Sequence, residues 1–226
     1  MIENNMIENS MQRKRNRHRS IVPSNSLRGH FVALARQVRR WAEASSELSV
    51  SGSTAIGVTS LERGVGSSTV SFNLACSLAS LCRTRALLVE ADFGHSFVAK
   101  RLGHGKALGL AELLAGEATG HETIFATPIS DVSVIGCGKK IEHEALELPF
   151  DGLGPMLKET FAEYSYSVFD LPLASDLTAC HSIIPHLDGV ILTVDSNYID
   201  QRRVARFKRQ VEGYGVPVLG VVLNKS

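Results

Sequence analysis

The chain has 226 residues, 44% hydrophobic and 21% charged, with a formal net charge of +1. That suits one α/β domain with a tail, and a core large enough to fold unaided. The balanced charge names no polyanionic partner for the whole chain, no run approaches the ~18 apolar residues of a membrane helix, and the polar N-terminus has no secretory apolar region.

Residues 1–26 are rich in Asn, Ser and Arg, have no apolar run, and carry Arg13, Lys14, Arg15, Arg17 and Arg19. They read as a disordered basic tail, either solvated or lying on an anionic inner-membrane surface; the repeated MIEN reads as an alternative start. Residues 27–45 space Phe31, Leu34, Val38 and Trp41 at helical intervals, which predicts an amphipathic helix with arginines outward. After a short linker, 46–226 read as one domain in which strands and helices alternate. Strands are predicted at 54–60, 86–92, 132–136, 166–170, 189–195 and 216–224. Helices are predicted at 67–82, 110–114, 153–164, 177–184 and 200–214. The strands are near-continuous Val/Ile/Leu runs, the mark of a parallel sheet buried on both faces. The expected fold is therefore a doubly wound, mainly parallel sheet flanked by helices, α/β/α in three layers. In such a sheet, ligands bind at the carboxyl ends of the strands.

The first strand end runs through Thr59, Ser60 and Leu61 into Glu62, Arg63, Gly64, Val65, Gly66, Ser67, Ser68 and Thr69. Strand, glycine turn and helix start stand in the order that lets backbone N–H groups and a helix N-terminus meet phosphate oxygens. A full phosphate loop reads GxxxxGK[ST]. Here Leu61 takes the place of the first glycine and Ser67 that of the lysine, while Ser68 keeps the hydroxyl that binds Mg²⁺. By that pattern alone the turn is equally a glycine-rich strand–helix connection without a ligand. Three acids at strand ends, Glu90, Asp92 and Asp170, add weight to the phosphate reading, because carboxylates there hold Mg²⁺ or position an attacking group. His121-Glu122 and His143-Glu144 lack the second histidine of a zinc-protease helix. Cys76, Cys82, Cys137 and Cys180 are scattered, as expected of reduced thiols in a reducing compartment.

Taken together, TS-x-x-x-G-x-G-x-ST, LLVEAD, GLAELLAGEA (109–118), VFDLP and VLGVVLN resemble the bacterial tyrosine kinase (BY-kinase) family, within the MinD/ParA group of P-loop ATPases. The resemblance spans about residues 30–226. It implies ATP/ADP bound with Mg²⁺, tyrosine phosphorylation, and a role in exopolysaccharide or capsule synthesis and export beside a membrane polysaccharide co-polymerase, the chain-length regulator. It implies a cytoplasmic protein, peripheral at the inner membrane. It places Arg63 to Thr69 in Walker A, Glu90 and Asp92 in the second acidic motif, Asp170 in Walker B and Asn224 near the adenine. Asp92, Glu90 and Asp170 would be catalytic, and Ser68, Asp92 and Asp170 would face Mg²⁺.

The departures from the family pattern point to a degenerate, regulatory protein. Ser67 cannot supply the lysine's charge, and losing a charged hydrogen bond of roughly 1.5–3 kcal/mol weakens ATP about tenfold to a hundredfold. Arg63 is a candidate substitute. Glu90 stands where the family has Asp. The tyrosines Tyr164, Tyr166, Tyr198 and Tyr214 all fall inside the expected fold, with no cluster after the last strand. Arg36 and Arg39 of a ring-assembly pattern remain, but Ala33 replaces its acid, which leaves homo-oligomers open. Arg202, Arg203, Arg206, Lys208 and Arg209 form a basic segment with no nucleic-acid module around it, which argues against DNA. An active kinase with an unusual loop and a non-enzymatic positioning protein remain the alternatives.

Overall fold

A computed structural model describes residues 25–45, 53–138, 152–175 and 182–224. Residues 1–24 of the tail, most of the helix expected at 177–184, His143-Glu144 and Cys180 lie outside the described residues, while Asn25 and Ser26 already belong to the first helix. Elements in chain order are α1 (Asn25–Ala44), β1 (Thr54–Ser60), α2 (Ser67–Cys82), β2 (Ala86–Glu90), α3 (Val98–Leu102), α4 (Leu110–Leu114), α5 (Gly120–Thr123), β3 (Ile124–Ala126), β4 (Val132–Ile135), α6 (Leu153–Glu159), β5 (Tyr166–Asp170), a 3₁₀ turn (Ile184–His186), β6 (Gly189–Asp195), α7 (Gln201–Glu212) and β7 (Val218–Asn224).

The seven strands form one sheet in the order β3-β4-β2-β5-β1-β6-β7, parallel throughout except for antiparallel β3 against β4. Successive side chains of a strand leave opposite faces, and β2 shows it. Leu87 and Val89 enter one core with Phe169 and Leu192, while Ala86 and Leu88 enter the other with Ile56, Val168 and Ile191. Both faces of the central strands are covered, so their sequences need no polar alternation.

α2 is buried along most of its length, from Val70 to Ala75 and again at Leu78 and Ala79. It lies under α1, which contributes Ala35 and Val38 to the same core, with Phe31, Leu34 and Trp41 packed against it. Arg36 and Arg40 of α1 stay exposed. This shared core is why the amphipathic stripe exists: α1 is the outer cover of α2.

Some bounds differ from the sequence pattern. α6 ends at Glu159, not at 164, because the chain turns after Thr160 to insert Phe161 and Tyr164 into the core. β2 ends at Glu90, and the last helix runs only from Gln201 to Glu212. Elements α3, α5 and β3 are too short to show a period. At one sheet edge Val221 and Leu223 of β7 remain exposed. Among the described residues no helix is long and apolar enough to cross a membrane.

Candidate nucleotide-binding site

β1 lies in the middle of the sheet between β5 and β6, so its end opens where a parallel sheet places ligands. The turn that follows needs glycine twice: Gly64 and Gly66 have φ of 79° and 88°. A Cβ on Gly66 would also lie 2.6 Å from Asn224 Nδ2. That amide, at the end of β7, donates to the Val65 carbonyl at 2.8 Å and braces the turn from behind. Arg203 of α7 holds the outer side. It donates to the Leu61 carbonyl at 2.9 Å and pairs with Glu62 at 2.6 Å.

Gly66 is the N-cap of α2, and among the described residues no side chain caps its N-terminus. The first-turn N–H groups of α2 are left for solvent or a ligand. Beneath them, the Ser71 hydroxyl lies 2.9 Å from the Ser67 carbonyl and 3.1 Å from Asp170 Oδ1. Asp170 is fully buried at the end of β5. Burial pushes its carboxyl up to about 7, hydrogen bonding from Ser68 and Ser71 pulls the other way, and the nearby Glu90 and Asp92 carboxylates add to the rise.

Glu90, in register with Asp170 across the β2–β5 pair, is engaged elsewhere. Its carboxylate accepts the Phe97 N–H at 2.8 Å, the Val98 N–H, and the Ser96 hydroxyl at 2.8 Å. It thereby closes the N-terminal end of α3. Burial pushes this carboxyl up, and those hydrogen bonds restrain it. Asp92 accepts the Gly94 N–H at 3.1 Å and lies 3.6 Å from the His95 ring.

These parts border a cleft of about 910 Å³, in the size range of nucleotide-sized ligands. Gly64, Ser67 and Ser68 form one wall, and Asp92 to Phe97, Lys100 and Lys106 line the cleft as well. Arg63 also borders it, its Nη1 lying 2.9 Å from the ring nitrogens of His95. Of the site residues expected from sequence, Arg63, Gly64, Ser67, Ser68 and Asp92 border the cleft. Val65, Gly66, Asn224 and Asp170 support it from behind, Glu90 caps α3, and Thr69 is exposed on α2. Asn224 is bonded to the loop itself, where the resemblance puts it near the adenine.

Uncapped amides suit a polyphosphate, and a serine hydroxyl with buried and half-buried carboxylates suits the Mg²⁺ that accompanies one. Among the described residues no group of three or more His, Cys, Asp or Glu could hold a metal ion on its own. The supporting serine Ser71 is visible in the sequence only as the residue one helical turn beyond Ser67. Lys100, Lys106 and Arg203 belong to no motif, and only the fold brings them to the site.

No protein-family profile matches the chain. It is 28% identical over 171 residues to the tyrosine-protein kinase CpsD of Streptococcus agalactiae, covering 75% of this chain and 74% of that one. It is 27% identical over 175 residues to the putative tyrosine-protein kinase EpsB of Ralstonia nicotianae, over 77% of this chain and 23% of EpsB. To the succinoglycan biosynthesis transport protein ExoP of Rhizobium meliloti it is 25% identical over 182 residues, 79% of this chain and 23% of ExoP.

Among solved structures, the kinase domain of Escherichia coli ETK superposes with a TM-score of 0.71 at 19% identity, over 86% of this chain and 75% of that one. The VpsO kinase domain gives 0.70 at 24% identity, over 89% and 97%. MinD of Pyrococcus horikoshii, complexed with Mg-ADP, gives 0.62 at 20% identity, over 76% and 70%. By its relatives the chain is similar to the bacterial tyrosine kinases, and its sheet has the fold shared by their kinase domains and by the ATPase MinD.

Proposed function

We propose that this protein binds a Mg²⁺-nucleotide but transfers its phosphoryl group poorly or not at all, and that it serves as a regulatory partner of a membrane polysaccharide co-polymerase in exopolysaccharide or capsule synthesis. It would work at the cytoplasmic face of the membrane beside that partner. The observation that carries this reading is the uncapped N-terminus of α2 with Ser67 at its first position. The loop keeps its amide donors and lacks its cation.

Ser68, Asp92 and Asp170 are the residues that would hold Mg²⁺ with the phosphate oxygens, and the metal would neutralise charge between the phosphates. The amides of Ser67, Ser68 and Thr69 would orient the polyphosphate. Charge develops on a transferring phosphoryl group, so a missing lysine is felt more in transfer than in binding. Glu90 reinforces this. Its carboxylate is committed to the α3 backbone and is not free to accept a proton from an incoming hydroxyl.

The test combines calorimetry with mass spectrometry. Expected are micromolar binding of MgATP and MgADP, and no phosphotyrosine after incubation with MgATP, with or without the cytoplasmic segments of the co-polymerase. Phosphotyrosine formed on this chain or its partner, and abolished by Asp92→Ala, would instead establish an active kinase. Absence of nucleotide binding would remove the nucleotide half of the proposal.

A further inference from the structure

We infer that Lys100 and Lys106 supply the positive charge that Ser67 cannot, gripping the polyphosphate from a second segment of the cleft lining, with Glu90 as the positioning residue for Lys100. This rests on the reading of the cleft as a nucleotide site.

Both lysines border the same cleft as Gly64, Ser67 and Ser68. Among the described residues neither makes an ion pair. The neighbouring cations are engaged: the Arg101 guanidinium stacks on the Phe97 ring at 3.7 Å from its centroid, and Arg63 lies against His95. Asp92, the acid of the cleft, is turned to the Gly94 N–H and the His95 ring. Two lysines and an uncapped helix N-terminus then border one cavity, an arrangement that favours a polyanion.

The segment bearing the lysines is held in place. Glu90 fixes the backbone of Phe97 and Val98, three and two residues before Lys100. At the other end of α3 the chain reverses through Gly103, with φ of 91°, and His104 N–H returns to the Ala99 carbonyl at 2.8 Å. The His104 ring stacks on Phe125 of β3, centroids 4.3 Å apart, and anchors the turn to the sheet edge. Gly105 then lies directly on Lys100. A Cβ there would stand 3.1 Å from the Lys100 Cα and Cβ. The fold-back sets Lys106 on the same wall as Lys100, although no loop motif encodes either. The longer reach of Glu90, where the family has Asp, serves the anchoring of this wall.

The experiment is calorimetric titration of the full chain with MgADP and, separately, with inorganic tripolyphosphate, which reads the phosphate grip alone. Expected are losses of about tenfold for Lys100→Ala and for Lys106→Ala, and about a hundredfold for both together. Lys100→Arg should bind within a few-fold of wild type. Ser67→Lys added to the double variant should recover binding by returning a cation to the loop. Glu90→Ala should weaken binding in the wild type but add nothing in a Lys100→Ala background, since it acts through that lysine. A double variant that binds both ligands as tightly as wild type overturns the inference and leaves the nucleotide reading standing. A wild type that binds neither ligand overturns both.

Discussion

The two walls of the cleft are built in opposite ways. The glycine wall is a short turn between a central strand and a long buried helix, braced by Asn224 from β7 and Arg203 from α7. Its geometry is set by two left-handed glycines and by elements that cannot shift without disturbing the core. It offers neutral amide donors, and its Arg63 lies against His95. The other wall is a five-residue helix and a fold-back, held by one buried carboxylate and one stacked ring pair. It offers two cations and little rigid secondary structure. A P-loop with its lysine carries amide donors and cation on the first wall; here Ser67 takes the lysine's place and two lysines border the cleft from the second.

The largest expected effect comes from breaking the rigid wall. Gly66→Val forces a β-branched residue into φ of 88° and drives its Cβ against Asn224. The strain is about 2 kcal/mol, which lowers Tm by about 4–8 °C. MgADP binding should fall beyond detection in calorimetry while the circular dichroism spectrum persists. Retained micromolar binding would show that the turn does not carry the phosphate.

Next in size, Ser67→Lys should return the cation to the first wall. MgATP affinity is expected to rise about tenfold to a hundredfold, with Tm of the ligand-free protein unchanged. If affinity stays level, the lysine wall already saturates the charge requirement, and the contrast between the walls is sharpened.

The third effect is a pH dependence between the walls. Burial holds the Asp170 carboxyl at about 7, above its ordinary range. Below pH 4 both folded and unfolded forms are protonated, and the group contributes no slope. Between about pH 4 and 7 the unfolded chain ionises while the folded one keeps its proton, so stability falls by up to ~1.4 kcal/mol per pH unit. Above pH 7 the slope ends. Denaturant titrations of the ligand-free protein at stepped pH should show this decline and its flattening in Asp170→Asn. Glu90 and Asp188, also raised by burial, leave a smaller slope of the same sign.

The smallest effect is expected at the brace. Arg203→Ala removes an exposed ion pair with Glu62 and one bond to the Leu61 carbonyl. Exposed pairs contribute under about 1 kcal/mol, so Tm should drop by no more than ~4 °C and MgADP affinity by less than about threefold. A larger loss of affinity would make α7 a control point for the loop.

The sequence by itself determined the parallel strands of the sheet and the first wall. Strands β1, β5 and β6 begin and end where their apolar runs do, because burial on both faces leaves no polar position to blur the edges. The bounds of α2 were equally legible, set by Gly66 before it and a reversal at Arg83 after it. The glycine turn, Asp92 and Asp170 follow from strand ends, since a parallel sheet presents its ligands there. Tertiary structure alone decided the rest. Whether Glu90 faces the cleft or a backbone depends on where α3 docks, and a five-residue helix has too few turns to show a period. Asn224 and Arg203 meet the loop from elements more than 130 residues away, a distance no local pattern spans. Lys100 and Lys106 belong to no sequence motif; only the reversal at Gly103 and the packing of Gly105 on Lys100 bring them to one cleft, because side-chain convergence is a property of the folded backbone.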